Sequence, residues 1–431
     1  MPGGPGPRIA SERYWGPDFE TIGSPLSVSP PRVAAAAPFP YAGLLALAGV
    51  GFVAVTGELL PTGLLPQMAR DLGVGLSTAG YLVTIFAGTV VVATTPLAAL
   101  TRRLPRKQLL VVIMFLIAAA NLAAALAPTY EFLVAARIFG GLALGLCWAV
   151  VAAYPAHLVP AQQLGKSVAF TSGGVTAAFV LGVPVATAVG NAFSWRVAFA
   201  AIAVVAVLLA GILIALLPPI RHLVERTAGD EPAPRRDPSL TPVLLLCVLI
   251  LVLLAGQNAY YTYIASWLTE VSSFGMGSVA LILFLYGGAG IIGLAAAGYA
   301  ADHFPRRGFA AAVLIVIAAV STLAAAAGNT GVVLAAIVVW GAAFGGLPAM
   351  IQTRMLRTAS ARIRDLSAAL QATAFNIGIG SGALLGGLLL DTVGLTALPV
   401  ALIVLLGAVL VLSLAIDATS GRRERLRLKA G

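Results

Sequence analysis

The sequence predicts an all-α integral membrane protein of about twelve transmembrane helices in two pseudo-symmetric six-helix bundles. Three observations predict it. Of the 431 residues, 60% are hydrophobic and only 10% are charged, against roughly 45–50% apolar for soluble domains. Apolar stretches of about 20 residues, the length that crosses a ~30 Å hydrocarbon core, recur from Tyr41 nearly to the C-terminus. Lys and Arg fall almost entirely between those stretches, on alternate loops.

Residues 1–38 are rich in Pro, Gly and Ser, carry both signs of charge and lack the apolar core of a signal peptide. They read as a disordered cytoplasmic tail, or as sequence ahead of the native start. An amino-terminal bundle at 39–217 follows, with spans at 43–65, 78–100, 108–127, 131–155, 167–191 and 197–217. A hydrophilic cytoplasmic linker at 218–241 separates it from a second bundle at 242–416. The spans there are 243–268, 278–301, 309–328, 331–353, 367–390 and 396–416, and a basic cytoplasmic tail occupies 417–431.

The net charge of +10 is a membrane-topology signal and not a nucleic-acid footprint, because no basic patch is interleaved with aromatics. With both termini taken as cytoplasmic, 23 of the 26 Lys and Arg fall on the inner side. Only Arg70 and Arg196 are outside, and Arg137 lies within a span. The expected location is the cell membrane, multi-pass, with both termini inside.

Cys147 and Cys247 sit singly in apolar stretches, and His157, His222 and His303 fall in predicted loops. No metal site or activated nucleophile assembles from these, so the chain reads as no enzyme. The stretch PAQQLGKS at 160–167 ends like a phosphate-binding loop but opens on Pro160 and follows no strand. With no nucleotide site and no cofactor expected, the energy source is an ion gradient or the solute gradient itself.

The halves repeat at an offset of about 200 residues. Leu104-Pro105-Arg106-Lys107 matches Phe304-Pro305-Arg306-Arg307, and TAVG at 187–190 matches DTVG at 391–394. Together with the six-loop-six layout this indicates a duplicated unit whose two bundles rock about a midplane site.

These features resemble the major facilitator superfamily, within it the drug and sugar efflux branch of arabinose-efflux-like permeases, purine efflux pumps and some chloramphenicol exporters. The likeness spans about 43–416. It is carried by TGELLPTGLLPQMARDLGV at 56–74, read as the first helix and outer loop, and by AARIFGGLALG at 135–145, where Arg137, Gly141 and Gly145 match the RxxxGxxxG pattern. GGVTAAFVLGVP at 173–184 resembles the antiporter motif, with Gly182 and Pro184 in its glycine and proline positions, and Trp195-Arg196 follows. The resemblance implies a gating role for Gly182 and Pro184. The loop after helix 2, TRRLPRK, has Thr101 where the family often has an acid. The second copy keeps one, so Asp302, with Arg306 and Arg307, is the better gating candidate.

Ionisable residues deep in a span cost some 2.5–3.5 kcal/mol on insertion scales and by default mark function. The two here are Glu58 and Arg137, about 22 Å up helix 1 from the inner side and about 9 Å down helix 4 from the outer side, which is one depth within error. In the resembled family helices 1 and 4 both face the central cavity. Burial favours the neutral carboxylic acid and a nearby guanidinium favours the carboxylate, a balance that proton or solute loading would tip. The same residues also fit a static salt bridge or interfacial snorkelling.

In the second half, Tyr260, Tyr263 and Trp267 recur at helical spacing with Gln257 and Asn258 one turn below, and would offer a stacking and hydrogen-bonding face to a solute, or form the outer aromatic belt. The glycine clusters at 287–293 and 378–387 read as close helix packing. The expectation is a monomeric secondary transporter, with small-molecule solute and lipid as its partners and no nucleic acid. It exports a small organic solute (drug, sugar or nucleoside-like) against protons. The alternatives are an uncoupled facilitator, an importer or, remotely, an intramembrane enzyme.

Overall fold

The first span is the longest of the amino-terminal half, and its sequence explains why. Helix α1 (Tyr41–Leu72) runs seven residues past the expected end at 65, so the predicted outer loop is largely helical. Pro61 and Pro66 lie within it and do not end it. The stop comes at Gly73, whose left-handed φ of 64° needs no Cβ and whose N–H returns to Arg70 O.

The computed structural model describes residues 40–101, 103–151, 154–160, 163–217 and 237–430. The expected tail at 1–38 and most of the linker at 218–241 lie outside the described residues. After α1 come α2 (Leu76–Thr101), α3 (Arg106–Ala125), α4 (Tyr130–Val151), α5 (Leu164–Ala192 in three stretches), α6 (Trp195–Leu216), α7 (Leu240–Glu270 with one break) and α8 (Met276–His303). The remaining spans are α9 (Pro305–Ala325), α10 (Thr330–Thr358 with one break), α11 (Arg364–Thr392) and α12 (Ala397–Ala430). All twelve are long and apolar enough to cross a membrane. The basic tail expected at 417–431 continues α12 as helix up to Ala430.

Three spans are interrupted. In α5 the stretch Ala178–Gly182 is a π-helix, placed where Pro184 removes one N–H from the ladder and a wider turn absorbs the mismatch. Helix α10 breaks at Gly346, just before Pro348. Helix α7 stops at Tyr261 and restarts at Ile264, with no Gly or Pro to mark the site.

Packing repeats with a period of six helices. The pairs α1–α5, α1–α6, α2–α4, α3–α4 and α3–α6 in the first bundle recur as α7–α11, α7–α12, α8–α10, α9–α10 and α9–α12 in the second. Glycine permits the closest crossings. A Cβ on Gly378, Gly382 or Gly386 of α11 would run into the α7 backbone at Leu251, Ala255 and Ala259, so the cluster at 378–387 is a packing seam.

Two seams related by the same pseudo-symmetry, α2–α11 and α5–α8, join the bundles, and α1 also meets α7. In the first, Thr84 Oγ1 donates to Gly380 O at 3.0 Å while Val83, Ala87, Ile379 and Ala383 pack together. In the second, Asn191 Nδ2 donates to Met276 O at 2.9 Å. These contacts lie in the half of the molecule remote from the chain termini. At the other end, Lys107 Nζ donates to Ile214 O within the first bundle, and Arg354 pairs with Asp417 within the second. Asp237 accepts from the Ser239 hydroxyl and amide and from the Ser360 hydroxyl, bonds that hold its carboxyl below the usual range.

Candidate functional site

The site begins with Pro61. A proline within a helix has no N–H for the carbonyl four residues earlier, here that of Gly57. Helix α1 therefore carries, within its span, a main-chain acceptor that the helix itself leaves unbonded. Arg137 of α4 fills that position. Its Nη1 donates to Gly57 O at 2.9 Å and its Nη2 to Glu58 O at 2.8 Å, and the guanidinium carbon sits 3.9 Å from the Phe86 ring centroid on α2.

Glu58 and Arg137 thus share one depth, but not through the direct ion pair that the sequence reading entertained. Among the described residues no carboxylate–guanidinium pair joins them, because the guanidinium fork is occupied by α1 carbonyls. Both residues are buried, at 7% and 3% exposure. Glu58 Oε1 and Arg137 Nε each remain without a protein hydrogen-bond partner.

The resemblance implies that α1 and α4 turn these side chains to the central cavity between bundles; the structure places them elsewhere. They line a small cavity inside the first bundle, walled by Gly57 and Glu58 of α1, Phe86 of α2, Asn121 of α3, Arg137 of α4 and Phe199 of α6. The neighbouring face of α1, with Val55 and Leu59, packs instead into the core of the second bundle. Sequence reading missed Asn121, although a lone amide in an apolar span was a signal in plain view.

All five residues read as a solute-binding face on α7 are buried. Their spacing does not place them on one face, because the helix is broken at Thr262–Tyr263. Gln257 Nε2 donates to Tyr286 Oη at 2.8 Å, and Trp340 Nε1 donates to Gln257 Oε1 at 3.1 Å. Tyr260 stacks on Trp340 at 5.2 Å and meets Trp267 edge-on at 5.7 Å. Asn258 Nδ2 returns to Leu254 O. Tyr263 goes elsewhere, to the seam between bundles. Its hydroxyl donates to Ala383 O at 3.0 Å, and Gly80 of α2 and Gly387 of α11 supply the space for its ring.

Of the gating candidates, Gly182 ends the π-turn of α5 and lies against Thr56 of α1, where any Cβ would collide with the hydroxyl. Pro184 follows one residue into the next helical stretch. Arg307 is exposed. The backbones of Asp302 and Arg306 are helical, while their side chains lie outside the described residues.

A twelve-span bundle pair, duplicated and carrying charge in its interior, defines a membrane transporter. The family model of the Major Facilitator Superfamily matches residues 47–362, and the chain belongs to that family. Among its relatives are a probable sugar efflux transporter of Helicobacter pylori (strain G27), 28% identical over 80% of this chain and 87% of that one, and a chloramphenicol efflux pump of Mycobacterium tuberculosis (strain ATCC 25618 / H37Rv), 32% identical over 81% and 86%. The fold matches a bacterial homologue of the human lysosomal transporter Spinster in an inward-facing, occupied conformation, with a TM-score of 0.71 at 16% identity, covering 92% of this chain and 99% of that one.

Proposed function

We propose that this protein is a proton-coupled exporter of a small organic solute, acting by alternating access from the cell membrane as a monomer and without a cofactor. Glu58 is the coupling group. The observation that carries this reading is its carboxyl, buried within the α1 span with one oxygen unpartnered and a guanidinium on the same cavity wall. Such a group binds or releases a proton with small changes in its surroundings. Both termini are cytoplasmic by the Lys and Arg distribution. The bundle-joining seams then lie on the outer side. Relatives named for sugar and chloramphenicol efflux support an organic solute of that size and the export direction.

Reconstituted vesicles with an imposed pH gradient, loaded in turn with radiolabelled chloramphenicol and L-arabinose, test the reading. Uphill movement of either solute, recovered chemically unmodified, is expected in wild type and absent in Glu58→Gln. Gradient-driven transport that survives Glu58→Gln overturns the role of Glu58. Solute movement indifferent to the gradient in wild type makes the protein an uncoupled facilitator instead.

A further inference from the structure

Asn121 stands in the coupling cavity without a part in the scheme above. It is 8% exposed on α3, a span otherwise apolar apart from its charged start. Its Nδ2 donates to Ile117 O at 2.8 Å, one turn back on its own helix. That bond uses one of the two amide hydrogens and fixes the carboxamide's rotation, while Oδ1 can only accept.

The carboxamide lies against Gly57, the residue preceding Glu58. A Cβ there would stand 3.3 Å from Oδ1 and 3.4 Å from Nδ2, so the absence of a side chain at 57 lets Asn121 close on α1, and it lines the same cavity as Glu58. Around the cavity, α2 and α6 present Phe86 and Phe199, α3 presents Asn121, and among the described residues the only charged or titratable groups lining it are Glu58 and Arg137. The cavity has room for a water molecule, and the orphaned Glu58 Oε1 and Arg137 Nε are polar partners for one.

We propose that Asn121 is a positioning residue for the Glu58 proton: its Oδ1 accepts the hydrogen bond of the protonated carboxyl, directly or through one water in the cavity. An acceptor-only oxygen helps the O–H form and offers nothing to the carboxylate, which has no proton to donate. Arg137 works the other way, its cation favouring the ionised form. Proton affinity in the first bundle is then set by two neighbours of opposite effect, on α3 and α4. This inference rests on Glu58 being the coupling group.

An infrared pH titration of the purified full-length protein tests it, reading the protonated-carboxyl stretch assigned to Glu58 by its loss in Glu58→Gln. In Asn121→Leu and Asn121→Ala the midpoint of that band is expected to move to lower pH by about 0.5–1 unit, the size of one lost hydrogen bond. Asn121→Thr, whose hydroxyl can donate to Ile117 O and still accept, is expected to stay near wild type. A purely structural role would lower thermal stability in these variants and leave the midpoint in place. If any of the folded variants that lack the oxygen titrates like wild type, the proposal is overturned. If instead Glu58→Gln removes no band, or transports normally against a pH gradient, the coupling role itself fails, so the two failures are separable. Should Asn121→Leu not fold, the smaller Asn121→Ala decides.

Discussion

The two bundles use one architectural position in opposite ways. In the first, the meeting point of α1, α2 and α4 holds Gly57, Phe86, Arg137 and Gly140 around a cavity. In the second, the residues 200 positions later at the meeting point of α7, α8 and α10 are Gln257, Tyr286, Ile337 and Trp340. There the space is filled. Trp340 occupies the place of Gly140, and Gln257 ties its indole to the Tyr286 hydroxyl, so a neutral hydrogen-bonded trio replaces a charged group. The duplicated fold thus provides two equal slots, one kept open and titratable and the other packed solid. Side-chain volume and charge divide the labour, not topology.

The largest effect should come from emptying the charged slot. Arg137→Ala leaves Gly57 O without a donor and removes two charge-assisted hydrogen bonds, each worth about 1.5–3 kcal/mol. The expected result is loss of gradient-driven transport together with a clear drop in melting temperature in detergent. The contrast with the second bundle would break if Arg137→Ala proved thermally neutral. Trp340→Ala should destabilise by about 3–5 kcal/mol as a core truncation while retaining proton coupling in the molecules that fold. Transport that loses its pH dependence in this variant would show that the filled slot also takes part in coupling. The smallest effect belongs to the outer rim. Asp71 binds Arg196 at 3.2 Å and the Trp195 indole at 2.9 Å, with both ionic side chains more than a third exposed. Asp71→Asn, read by the same melting assay, should change stability by about 0–1 kcal/mol.

How much of this was legible depended on how local each signal was. Span number followed from hydropathy alone. The shared depth of Glu58 and Arg137 followed from 1.5 Å per residue, and the Arg137 hydrogen bonds to residues 57 and 58 are the geometric counterpart of that match. The partner of Arg137 was also within reach of a local rule, since Pro61 frees the carbonyl of Gly57 by counting back four. Charge complementarity drew attention to the carboxylate instead. The direction in which Glu58 points was not legible, because it depends on which face of α1 meets α3 and α6. The break in α7 at Thr262 has no helix-breaking residue near it, so a continuous 3.6-residue period placed Tyr263 with Tyr260 and Trp267. Helix α10, by contrast, breaks next to Gly346 and Pro348, where the sequence supplied the warning.

The bonds from Arg137 to the α1 backbone bear on how the chain is made. Each partner is a liability alone in lipid, α4 with a buried guanidinium and α1 with a carbonyl that its proline cannot serve. Joined, the two defects cancel. Insertion of either span is therefore expected to cost less once the other is beside it. On this account the bonds from Arg137 to the Gly57 and Glu58 carbonyls bear on assembly as well as on transport.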